Sequence, residues 1–101
     1  MALQGILGFE SVTVAATAIG FDITPASNNG MKPQAALITV ETAAIRFTTD
    51  GTTPTATVGH VVEAGGSIEL ADSGQCDNFL AIRRDGVSAT IRVSTAASWA
   101  G

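Results

Sequence analysis

The stretch "AAIRFTTDGTTPT", Ala43 to Thr55, holds an apolar-polar alternation, a turn dipeptide and a proline within thirteen residues. Side chains alternate along an extended chain, so Ile45, Phe47 and Thr49 fall on one face and Arg46 and Thr48 on the other. Ile45 and Phe47 are therefore expected to face a core. Asp50-Gly51 supplies the φ > 0 position of a tight turn, and Pro54 holds Thr53 extended, so the chain leaves the turn in a β-like direction. The stretch reads as strand, turn and extended return.

The same period continues on either side. "QAALITVET" puts Ala36, Ile38 and Val40 on one face and Leu37, Thr39 and Glu41 on the other, and "FESVTVAATA" alternates Val12, Val14, Ala16 and Ala18 against Ser11, Thr13, Ala15 and Thr17. "FDIT" reads as a further short β piece. "PASNNGMKP" collects Pro, Ser, Asn and Gly, residues that favour turns through restricted φ or tolerance of positive φ. Further on, "SIEL" sets Ile68 and Leu70 on one face, and "ADSGQCDN" reads as another turn-rich segment. "NFLAIRRDGVSATIRVS" is two β-prone runs around Asp85-Gly86, the strongest hairpin signal in the chain. Helix signals are nearly absent. Several short strands with turn punctuation predict an all-β domain, a small antiparallel β-sandwich, Ig-like or jelly-roll-like.

A chain of 101 residues is one domain, here expected to span 1–101. Its hydrophobic fraction is 46%, but much of that is alanine, which buries little area per residue. The core is thus thin, and a thin core in an apolar chain predicts that other subunits cover part of the surface, as a homo-oligomer or within a larger assembly. A net charge of −4, with five basic residues scattered over different faces, speaks against nucleic acid as a partner. No run approaches the ~20 apolar residues of a membrane helix, so no membrane partner is expected. "MALQGILGFE" has no basic n-region or A-x-A-like site, and no secretory signal is read there.

Candidate chemistry is sparse. His60 is the sole histidine and has no nucleophile motif around it, so it is read as a polar residue at a strand edge or loop. Asp22, Asp50, Asp72 and Asp77 each adjoin turn residues or a strand end, where Asp caps backbone N–H groups. There is no Cys/His pairing for zinc, no calcium loop and no phosphate loop. The expectation is no catalytic residue, no metal and no cofactor. Cys76, the lone cysteine, is read as a thiol kept in a reducing compartment, the alternative being a symmetric intermolecular bridge.

The termini are apolar without an obvious partner. An arm over about 1–9, carrying Leu3, Ile6, Leu7 and Phe9, and a short tail over about 95–101, carrying Trp99, are the candidate interface residues. The tail is expected to fray or to form one helical turn, with Trp99 either folded back on its own core or anchored in a neighbour.

At "IRFTTDGTTPT" the chain resembles two groups. One is the immunoglobulin-like C-terminal domain of chitobiase and related modules of sugar-processing enzymes, in which "I-[RK]-[YF]-T-x-D-G-x-x-P-T" forms a strand and its turn. The other is a group of small tailed-bacteriophage virion proteins, in which that stretch is followed by a "GH" pair, a glycine-containing turn with an "I-x-L" strand, and a closing "F-x-A-I-R…A-T-[IL]-R-V" hairpin. Gly59-His60, "GGSIEL" and "FLAIRRDGVSATIRV" stand here in that order. The phage resemblance spans about Ala35 to Val93, the chitobiase-like one the single turn. These are scaffold motifs that name no active site. The resemblance implies a non-enzymatic virion protein of capsid decoration or head accessory type, assembled in the host cytoplasm, with the major capsid protein or other virion subunits as partners. A head-tail connector or tail component is the near alternative. A carbohydrate-binding module is the more distant one, since sugar platforms use exposed Trp or Tyr and the chain has one Trp and no Tyr.

Overall fold

The computed structural model describes residues 3–21 and 33–99; of residues 3–7 and 98–99 it describes the backbone alone. Seven strands and one short helix follow in the order β1 (Leu3–Val14), β2 (Ala35–Glu41), β3 (Ile45–Thr48), β4 (His60–Val62), β5 (Ser67–Leu70), α1 (Ser73–Asn78), β6 (Leu80–Arg83) and β7 (Ala89–Trp99). They make two antiparallel sheets, ordered β1-β7-β2-β5 and β4-β3-β6. The pairs β2–β5 and β3–β6 are those of an immunoglobulin-type order, whereas β7 lies between β1 and β2 rather than at the rim of the other sheet.

The two sheets close over one core, as the alternation predicts. Val12 and Val14 from β1, Ile91 and Val93 from β7, Ala36, Ile38 and Val40 from β2, and Ile68 and Leu70 from β5 point inward. Ile45 and Ala81 meet them from the second sheet, with Phe47 packed against the cluster. Phe79 is buried between Phe21 and Phe47, with ring centroids 5.6 Å and 5.8 Å away. Alanines 35, 36, 44, 81, 89 and 96 are all buried, which lets the layers approach closely but leaves little apolar area per residue.

Four expectations are corrected. First, the runs around Asp85-Gly86 do not form a hairpin: β6 pairs with β3 and β7 with β1 and β2, so the segment 84–88 carries the chain from one sheet to the other. Alternation fixes which face a residue takes but not which strand it pairs with. Second, "ADSGQCDN" contains a helix, begun by a reciprocal cap: the Asp72 carboxylate accepts the Gln75 N–H at 2.8 Å, and the Gln75 side-chain oxygen accepts the Ala71 N–H at 2.6 Å. Third, residues 95–99 neither fray nor turn helical but continue β7. Residues 3–9 are the front of β1 rather than a separate arm, because each supplies the other's backbone partners over the register Leu3↔Trp99 to Val14↔Ala89. Fourth, the expected strand from Phe9 to Ala18 stops at Val14, and residues 15–19 cross to the second sheet, where Ile19 and Ala81 exchange backbone hydrogen bonds of 2.9 Å. "FDIT" beyond Phe21, and the turn-rich segment up to Lys32, lie outside the described residues.

Candidate interaction site

The opening stretch is built as read, with additions the sequence did not reveal. The Asp50 carboxylate accepts the Thr52 N–H at 3.0 Å, closing the turn. That bond holds the Asp50 carboxyl below the usual carboxylate range. The Thr48 hydroxyl donates to the Thr52 carbonyl. Arg46, on the outer face of β3, reaches across the return: its Nε donates to the Ala56 carbonyl at 2.8 Å and its Nη1 to the Gly59 carbonyl at 2.9 Å. The return then becomes β4, with Phe47 opposite His60.

These ties give most of the candidate chemical groups structural work. His60 is exposed on an edge strand, its ring tilted over Phe47 at 5.5 Å. Asp50 closes a turn and Asp72 caps α1, as turn chemistry predicts. Asp22 lies outside the described residues. Among the described residues no three His, Cys, Asp or Glu side chains gather as a metal-binding group. The Cys76 sulfur is buried, and burial, aided by the charges of Asp72 and Asp77, pushes its thiol up to about 11. A thiol so placed stays protonated and out of a partner's reach, so the intermolecular bridge considered from sequence has no accessible sulfur. A shallow depression of about 370 Å³ lies beside Ile82, lined by Ala16, Ala56 and residues 83–86. Its Arg84 is engaged by Glu63 at 2.6 Å and Asp85 at 3.1 Å. No helix among the described residues is long and apolar enough to cross a membrane.

The five residues picked as an interface fall on the β1–β7 ribbon. Leu3 is paired with Trp99 and Ile6 with Ala96, with a register shift between Ile6 and Gly8 that sets Leu7 out of the ladder. The side chains of Leu3, Ile6, Leu7 and Trp99 lie outside the described residues. Phe9 is 65% exposed, the most exposed large apolar side chain described, on the outer face beside Ser94. Among the described residues β2 accompanies β7 as far as Ala35↔Ala96, and beyond that pair the ribbon runs past the four-stranded sheet as β1 and β7 alone. Val58, Val61 and Val87 are further exposed apolar side chains that were not picked from sequence. The signal for Val61 was available, since it sits opposite Arg46 and so shares the face that Ile45 does not take.

No protein-family model matches the chain, and neither does any curated protein or solved structure.

Proposed function

We propose that the chain is a non-enzymatic structural component of a tailed-bacteriophage particle, a capsid decoration or head accessory protein that docks on the particle and stabilises it. The observation that carries this reading is the projecting tip of the β1–β7 ribbon, where Leu3 stands opposite Trp99 beyond the last β2 pair. A two-stranded ribbon is marginal in water and gains stability when something packs against it. An apolar tip on a thin-cored domain therefore suits a partner surface such as the major capsid protein or another virion subunit. The ordered motifs from β3 to β7 add the family resemblance to this physical argument. On this reading the protein assembles in the host cytoplasm and resides in the virion.

The test is binding of the purified chain to particles that lack it. Trp99→Ala, and deletion of residues 1–8, are expected to leave a folded β domain by circular dichroism while abolishing particle occupancy. Unchanged occupancy of particles by the Trp99→Ala chain overturns the docking role. Copy number per particle, from quantitative mass spectrometry, separates a head decoration protein from a connector or tail component.

A further inference from the structure

The chain holds two Asp-Gly pairs, Asp50-Gly51 and Asp85-Gly86, and the fold treats them differently. Such a pair is a place where a chain can rearrange itself. The main-chain nitrogen of the glycine attacks the aspartyl side-chain carbon, a C–N bond forms, and the carboxyl hydroxyl leaves with the amide proton as water. The product is a five-membered succinimide. Water then opens that ring at either carbonyl, returning aspartate or leaving isoaspartate, in which the main chain runs through Cβ. The water lost in the first step is regained in the second, and neither oxidant nor enzyme enters. The step needs a main-chain nitrogen that is not held, a carboxyl free to swing onto it, and a backbone free to bend. Glycine favours it because no side chain stands in the way.

At Asp50-Gly51 these conditions are blocked. The Asp50 carboxylate accepts the Thr52 N–H at 3.0 Å, which aims it at residue 52 and holds its carboxyl below the usual range. The Thr48 hydroxyl donates to the Thr52 carbonyl, so β3 ties the turn a second time. At Asp85-Gly86 the conditions are met. Among the described residues none accepts the Gly86 N–H. Residues 85–87 are exposed, and a Cβ at Gly86 would meet nothing within 4 Å. The Asp85 carboxylate is engaged by the adjacent Arg84 guanidinium at 3.1 Å, whereas Glu63 holds that guanidinium more closely, at 2.6 Å. An ion pair between exposed neighbours is weak, and Arg84 keeps Glu63 when Asp85 leaves it.

We propose that Asp85-Gly86 is a site of spontaneous aspartyl isomerisation, and that the turn closed by Asp50 protects the other Asp-Gly pair. The site lies on the crossing from β6 to β7, so each conversion adds a carbon atom to the main chain where it passes between the sheets. It stands next to the Arg84 N–H that anchors this crossing on the Ala44 carbonyl at 3.1 Å. The modification goes beyond the virion reading and does not depend on it.

The experiment ages the full chain at mildly acidic pH and physiological temperature, then maps isoaspartate residue by residue through electron-transfer fragmentation of tryptic peptides. Cleavage after Arg46, Arg83 and Arg84 places Asp50 and Asp85 in different peptides. In the folded chain isoaspartate is expected to accumulate several-fold faster at position 85 than at position 50. In the chain unfolded by guanidinium chloride the two rates are expected to converge, because the neighbouring glycine is the same and the fold alone separates them. Gly86→Ala, which the open space around Gly86 allows to fold, is expected to suppress accumulation at 85 by crowding the attacking nitrogen and to leave position 50 unchanged. Equal rates at the two positions in the folded chain, no isoaspartate at 85, a preference for 85 that persists undiminished on unfolding, or a folded Gly86→Ala chain that isomerises as fast as the parent each overturns the proposal.

Discussion

Gly59 combines a tight approach with a backbone conformation that L side chains avoid. Its φ is +123°, and a Cβ there would sit 3.0 Å from the Phe47 carbonyl oxygen and 3.3 Å from both the Arg46 Cβ and the Phe47 nitrogen. The return strand lies against β3 at this point, with Arg46 gripping the Gly59 carbonyl. Gly59→Ala therefore meets a steric clash and a backbone region that L side chains avoid, at a cost of about 1–3 kcal/mol before any loss of the Arg46 bonds. Each kilocalorie lowers Tm by roughly 4–8 °C in a domain of this size. Gly86→Ala, with open space around it, is the control expected to change Tm little. Thermal denaturation of the two variants checks the contrast, and equal shifts would contradict it. The glycine of the "GH" pair was visible in the sequence. Its reason was not, because Arg46 and Gly59 meet only once the turn has closed.

The elements divide by whether their signal is local. β2, β5 and the body of β7 were legible because buried residues alternate with more exposed ones, whereas β3 buries both Ile45 and Thr48, which alternation sets on opposite faces. The end of β7 was not legible, because Ser and Ala at 94 and 96–98 carry little β preference, Thr95 alone favours a strand, and the strand is completed by β1 from the far end of the chain. The switch of sheets between β6 and β7 was hidden because Asp-Gly serves a crossover as readily as a hairpin. Here Arg84 donates its N–H to the Ala44 carbonyl and its guanidinium to Glu63 and Asp85, which anchors the crossing. The helix α1 had a local signal that was passed over: Asp72 three residues before Gln75 is the spacing of a reciprocal cap. With six residues, α1 depends on that cap. Asp72→Ala removes the acceptor for the Gln75 N–H and is expected to cost about 0.5–2 kcal/mol, while Asp72→Asn, another good capping residue, retains most of the stability. Urea denaturation of the three proteins measures the order. An Asp72→Ala chain as stable as the parent would show that the cap is incidental to the fold.

At the scale of the whole molecule, an alanine-rich interior leaves the few large side chains to hold the sheets together. The composition announced this thinness, but not which residue would stand between the layers. Phe79 is that residue: it is 2% exposed, enters from the end of α1, and touches Phe21 from the crossing after β1 and Phe47 from β3. Its truncation leaves a cavity beside the Phe21 and Phe47 rings. Phe79→Ala is expected to cost about 3–5 kcal/mol, a large share of the roughly 5–15 kcal/mol that holds a domain of this kind together. Phe79→Leu, which keeps most of the volume, is expected to lose distinctly less. Because both sheets share the one core, the loss falls on both at once. Denaturant titrations followed by amide NMR signals of Ile38 and Val40 in the first sheet and of Ile45 and Ala81 in the second are expected to give superimposable curves that shift together. Curves that separate in the Phe79→Ala chain, with one sheet melting ahead of the other, would mean that the sheets are held independently and that Phe79 does not join them.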